Sequence, residues 1–140
     1  MTTVVAIAVA LGLIDSLYLL WKRYIKPHSP LICPIGENCQ TVLDSRYGSL
    51  LGFRNEFLGL GYYTLLLFLL LFAEQAPTPK ISVWGQGIDP LVLATVLSGA
   101  ACAASAMLTA IQTFVLKNYC SYCLLANALN AFIFIALVLR

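Results

Sequence analysis

Residues 91–116 read LVLATVLSGAACAASAMLTAIQTFVL, a run without a single charged side chain. Crossing the hydrocarbon core of a bilayer takes about 20 apolar residues, within a range of about 17–25. This run is long enough to cross and to tilt or extend beyond the bilayer. In lipid a helix satisfies all its own backbone groups, so the segment is expected to be a transmembrane helix. Working outward, three further segments have the same character. Residues 4–21 are apolar except for Asp15 and Ser16, residues 57–73 carry no charge, and residues 119–139 carry none before Arg140. The expected fold is all-α and membrane-integral. It is a four-transmembrane-helix bundle, one domain over residues 1–140, with a long cysteine-bearing loop between helices 1 and 2.

Composition argues the same way. Of 140 residues, 61% are apolar and 10% charged, whereas a soluble domain would have about 25% charged residues. The net charge of +2 and the lack of a basic tract give no footing for nucleic acid. The first segment has no basic leader and no small-residue cleavage pattern, so it reads as a retained span rather than a signal peptide.

Small residues crowd the third span from Ser98 to Ala106, and Gly59 and Gly61 stand near the start of the second. Both features favour close helix–helix approach. An antiparallel bundle follows, with both termini on one side and both cysteine-bearing connections on the other. Residues 22–56 form a long connection rich in Pro and Gly. Residues 74–90 read as a plain turn-rich loop without a chemical candidate, and 117–119 as a tight turn.

Chemistry concentrates in the cysteines. Cys120 and Cys123 form a C-x-x-C at the start of the fourth helix. Positions i and i+3 share a helix face, and a helix N-terminus stabilises a thiolate. Cys33 and Cys39 enclose Pro34 and Gly36 in the long connection on the same side. Two dithiol pairs on one membrane face suggest exchange through a mixed disulfide. Four cysteines permit three pairings, so the resting connectivity stays open. A structural zinc site and two inert disulfides are the alternatives, although the C-x5-C spacing is loose for zinc. Cys102, alone among alanines, reads as a small packing residue.

Several motifs in order resemble the vitamin K epoxide reductase family. They are Ser16-Leu17-Tyr18-Leu19, Cys33 and Cys39 with Ser45 six residues on, and Gly52-Phe53. Asn55-Glu56-Phe57-Leu58-Gly59 and the Cys120/Cys123 pair follow. The resemblance implies a membrane thiol–disulfide oxidoreductase that supports disulfide bond formation. Electrons would pass from a thioredoxin-like partner to Cys33/Cys39, then to Cys120/Cys123, then to a quinone of ubiquinone or menaquinone type. By position, Cys33 would exchange with the partner, Cys39 would attack Cys120, and Cys123 would face the quinone. Asn55 would contact a quinone oxygen, and Ser45 would be the loop hydroxyl near the active cysteines. A helix cap and an ordinary turn residue are their structural alternatives. No metal is implied.

A quinone is apolar, so its site should lie between helices. Its reduction places negative charge on ring oxygens, which nearby donors would stabilise. Many animal members carry a tyrosine four residues after the second C-x-x-C cysteine; here that position is Asn127. The change favours plain quinone reduction over vitamin K epoxide reduction, the runner-up. Asn127 and Asn130 are costly in a charge-free span, which points to either a functional role or helix–helix hydrogen bonding. Asp15 poses the same choice between pairing with a neighbouring helix and relaying protons. A non-catalytic membrane module with structural disulfides or zinc is the rival class.

The cysteine face carries Lys22, Arg23, Lys26, Arg46, Arg54 and Lys117, and the opposite face Lys80 and Arg140. The positive-inside rule then leans toward a cytoplasm-facing active site in a multi-pass cell-membrane protein. Binding of the basic loop to anionic headgroups on the outer side is the alternative.

Overall fold

The computed structural model describes residues 2–26, 33, 39–50, 52–75, 81–83 and 86–139. Thr2–Ile25 forms helix α1, which runs a turn beyond Trp21 and carries Lys22 and Arg23 in its last turn. Val5, Ala8, Val9, Asp15, Ser16 and Leu19 are buried, while Val4, Ile7, Leu11, Ile14, Leu17 and Trp21 are exposed. The spacing of three and four residues in both sets sorts them onto two helix faces. An exposed apolar face suits lipid.

The other spans are α3 (Asn55–Gln75), α4 (Pro90–Ile111) and α5 (Ser121–Val138). Together with α1 they are four helices long and apolar enough to cross a membrane. Each keeps large apolar side chains exposed, including Phe68 and Leu71 on α3, Val96 and Met107 on α4, and Phe132 and Ile135 on α5. Pro90 opens α4 at a position where a missing N–H costs no helix bond. After Ile111 the chain continues through a π-helical turn, Gln112–Leu116. It then turns at Lys117, whose φ of 50° is left-handed. A residue in that conformation commonly ends a helix.

Helix α1 packs on α3 and α5, and α4 packs on the same two, closing a ring. The side chains give its sense. Val5 and Val9 of α1, Leu66 and Leu70 of α3, Ala94 of α4, and Ile133 and Leu137 of α5 share one buried cluster. Starts of α1 and α4 therefore meet the ends of α3 and α5, which makes an antiparallel bundle. Lipid is as apolar as these side chains, so close packing rather than water exclusion holds the helices together. At Gly12 a Cβ would lie 2.3 Å from the Tyr63 ring, and at Gly59 one would lie 2.8 Å from Ser16 Oγ. Glycine thus lets α1 and α3 close on each other. Gly61, expected to do the same, faces nothing within 4 Å.

The connections hold more structure than a sequence of turns. Cys39–Asp44 forms a short helix, α2, followed by a 3-10 turn at Arg46–Gly48. Strands β1 (Ser49–Leu50) and β2 (Phe53–Arg54) pair antiparallel, with Leu50 opposite Phe53. Gly52 turns between them at a φ of 83°, which glycine adopts without a Cβ penalty. The 74–90 connection, expected to be a plain loop, contains an antiparallel pair, β3 (Ile81–Val83) and β4 (Gln86–Ile88). Ile and Val favour extended backbone and outweigh the turn signals around them.

Candidate active site

Cys120 is the N-cap of α5, in extended conformation. Its Sγ accepts the backbone N–H of Cys123 at 3.4 Å. The C-x-x-C thus occupies a helix start, one of whose otherwise unpaired N–H groups points at sulfur. Cys120 and Cys123 are both free thiols. Cys120 has no exposed surface.

Cys33 and Cys39 are joined as a disulfide, with a Cα–Cα separation of 6.3 Å. That bond removes two of the thiolates a four-cysteine zinc site would need. Cys39 opens α2 and is 1% exposed. It shares a buried cluster with Leu19, Val42, Leu43 and Cys120, and Cys33 and Cys123 pack against that cluster. The four cysteines expected to act together are therefore neighbours. Cys102 is a free thiol on α4 and stands outside the group.

A set of charges holds α2 in place. Arg23 of α1 donates to Glu56 Oε1 of α3 at 3.0 Å and also bonds Asp44, the last residue of α2. Gln40 Nε2 donates to Asp44 Oδ2 at 2.7 Å. Arg54 donates to the Leu43 carbonyl at 3.0 Å, and its Nε lies 3.6 Å from Glu56 Oε2. The Gln40 hydrogen bond, then Arg23, hold the Asp44 carboxyl below its usual range against the opposing effect of desolvation. Arg23 and Arg54 look like loop charges in sequence but act here as ties between elements.

Beneath the cysteines a cavity of about 370 Å³ opens among the helices. Leu19, Val42, Leu43, Leu97, Leu108 and Ile111 supply apolar walls, and Cys123 lines the cavity whereas Cys120 does not. The small side chains of α4 have a use beyond the close helix approach expected of them. Ala100, Ala101, Ala104 and Ser105 line the cavity, so their size leaves it room, while Gly99 stands against Phe134.

Asn55, Ser45 and Asn127 all line this cavity. Asn55 opens α3 and donates to the Tyr47 carbonyl at 3.1 Å. Ser45 donates to the Val42 carbonyl at 2.7 Å. Asn127 donates to Thr109 of α4. Asn130 accepts from Tyr63 at 2.8 Å and donates to Ser105 at 2.7 Å. Both asparagines of the fourth span thus make helix–helix hydrogen bonds. Tyr62 and Gln112 were not singled out by sequence, yet both line the cavity. Tyr62 Oη and Gln112 Oε1 are buried without hydrogen-bond partners among the described residues. Orphaned polar atoms beside an apolar cavity suit a flat apolar ligand with a few polar oxygens.

Residues 3–138 match the sequence model of the vitamin K epoxide reductase family. The chain belongs to that family. Among curated proteins, none matches it. Members of the family are membrane oxidoreductases of thiol–disulfide and quinone chemistry, with quinone as the electron acceptor, and the chain is an oxidoreductase of that family. The four apolar helices fit a multi-pass membrane protein.

Proposed function

We propose that this single four-helix domain is a quinone-dependent dithiol oxidase that supports disulfide bond formation. One observation carries the reading: the C-x-x-C straddles two environments. Cys120 packs with Cys39, while Cys123 lines the cavity. A relay between a loop disulfide and a membrane-dissolved acceptor needs that division.

The chemistry proceeds by exchange. Thiols of a thioredoxin-like partner attack Cys33, reducing the Cys33–Cys39 bond. A Cys39 thiolate attacks an oxidised Cys120/Cys123 pair at Cys120, forming and then resolving a mixed disulfide. The reduced helix pair passes two electrons and two protons to quinone and becomes a disulfide again. The cavity volume lies within the range of about 300–1,000 Å³ usual for small-molecule sites. Asn55 keeps a second N–H beyond the one given to Tyr47 and serves as the donor to a quinone oxygen. Asn127 has the same spare capacity beside Thr109. Ser45, whose proton is already given to Val42, holds the end of α2 instead.

Ubiquinone and menaquinone types both suit an apolar cavity of this kind. Of the basic residues on the cysteine face, Arg23 and Arg54 are paired with acids, but the positive-inside rule counts Lys and Arg regardless. A cytoplasm-facing site remains our reading, and a compartment-sensitive reporter fused to the C-terminus tests it. The function is tested by quinone reduction with a reduced thioredoxin-like protein as donor. Cys123→Ala is expected to abolish turnover, and full turnover in that variant would refute the assignment.

A further inference from the structure

We propose that Asp15 carries a proton between the Cys123 sulfur and a quinone oxygen in the cavity. The proposal rests on the function proposed above and names a residue that neither the family match nor the cysteine pattern assigns.

Asp15 lies inside the first span and is 7% exposed. It lines the same cavity as Cys123. Sequence left two roles for an acid at this depth, pairing or proton transfer. Among the described residues Asp15 has no hydrogen bond and no ion pair. Several candidate partners are already engaged, though the Tyr62 hydroxyl is not. Arg23 and Arg54 hold Asp44 and Glu56. Asn127 donates to Thr109, Asn130 to Ser105 and Tyr63 to Asn130. An ionisable side chain without a partner inside a span calls for a reason.

Proton exchange supplies that reason. Asp15 shares the cavity wall with Cys123, Tyr122 and Tyr63. The other titratable groups lining the cavity are Tyr62 and Glu56 from α3 and Tyr47 from the 3-10 turn, while the polar side chains added by α4 and the π-helical turn after it are Ser105 and Gln112. Glu56 is held by Arg23. Asp15 is thus the carboxyl left to move protons inside the cavity.

The overall reaction turns two thiols and a quinone into a disulfide and a quinol. Two S–H bonds break, one S–S bond forms, two electrons pass to the quinone, and two O–H bonds form. Asp15 takes the Cys123 proton as carboxylate and yields it to a ring oxygen as acid, so each turnover regenerates it. The second proton, from Cys120, leaves to solvent at the cysteine end, and an equal one reaches the other oxygen from there.

The test uses the full chain in detergent, with dithiothreitol as thiol donor and a short-chain ubiquinone as acceptor. General acid–base catalysis contributes about a hundredfold or more. Asp15→Asn should therefore lower kcat by about a hundredfold while leaving the quinone KM and the dithiothreitol reduction of the cysteines unchanged. It should also flatten the kcat–pH profile, and Asp15→Glu should restore turnover with a displaced profile. Wild-type kcat in Asp15→Asn from about pH 5 to 9 overturns the proposal. So does a parallel loss of cysteine reduction in both variants, which marks a structural role. If the wild type exchanges with dithiothreitol but does not reduce quinone, the proposed function itself fails and this role falls with it.

Discussion

The guanidinium of Arg23 reaches 33 positions along the chain to donate to Glu56 at 3.0 Å, and the same group binds Asp44. One cation thereby joins α1, α2 and α3. Glu56 is 4% exposed, so losing Arg23 would strand a buried carboxylate. Removing one partner of a buried pair costs about 3–5 kcal/mol. Arg54, 3.6 Å from the other oxygen, offsets part of that. Arg23→Ala should lower unfolding stability in detergent by about 3 kcal/mol and slow exchange between the two cysteine pairs. Glu56→Gln, which leaves behind only the partly exposed guanidiniums of Arg23 and Arg54, should cost less. Equal stability in Arg23→Ala and wild type would remove the tie.

Asp44 makes the docking of α2 dependent on acid. Its carboxyl is held below its usual range, by Gln40 first and Arg23 next. A group depressed in the folded state contributes fully above its unfolded pKa of about 3.9. The contribution fades as pH falls through the lower folded value. Nothing from this group should change between neutrality and about pH 5. Below about pH 4, the Cys33–Cys39 bond should become more reducible by a water-soluble phosphine. Asp44→Asn should show that faster reduction already at neutral pH. A wild-type reduction rate that stays flat on acidification would sink this account.

How much of this was legible in sequence depends on how local the signal is. Each span announces itself through a long, mainly apolar run, free of charge in 91–116 and broken by Asp15 alone in the first, because lipid imposes the same demand along its length. The cysteine pairs and the cavity residues Asn55, Ser45 and Asn127 were also visible, through motif order. Arg23–Glu56 was not, because a contact between residues 33 apart leaves no periodic trace. The 81–88 hairpin was legible in principle. Ile81-Ser-Val and Gln-Gly-Ile88 flank a two-residue Trp84-Gly85 connection, a recognised hairpin spacing. The small residues of α4 were seen but assigned to contact rather than to space, since size alone does not say which face a neighbour occupies.

Packing at Gly12 gives a further test. A Cβ there would meet the Tyr63 ring at 2.3 Å, and Tyr63 is fully buried and bonded to Asn130. Overpacking of this kind costs about 1–3 kcal/mol. Gly12→Ala should lower the thermal midpoint in detergent and, by moving Tyr63, raise the quinone KM. Tyr63→Phe keeps the ring but removes one hydrogen bond, worth about 1 kcal/mol. If Gly12→Ala is neutral, α1 and α3 do not close at this point.

Asn55 and Ser45 line one cavity but should respond differently to substitution. Asn55 Nδ2 gives one N–H to Tyr47 and retains another. Ser45 has already given its single proton to Val42. A lost hydrogen bond of about 1.4 kcal/mol corresponds to a tenfold change in affinity. Asn55→Asp preserves shape but removes both N–H donors, so quinone KM should rise about tenfold with dithiothreitol exchange unchanged. Ser45→Ala should leave quinone KM within about twofold and instead speed reduction of Cys33–Cys39 by loosening α2. Steady-state kinetics with a short-chain ubiquinone separates the two. The reverse pattern, with Ser45→Ala raising KM and Asn55→Asp silent, would make Asn55 a structural residue at the start of α3 and Ser45 the donor.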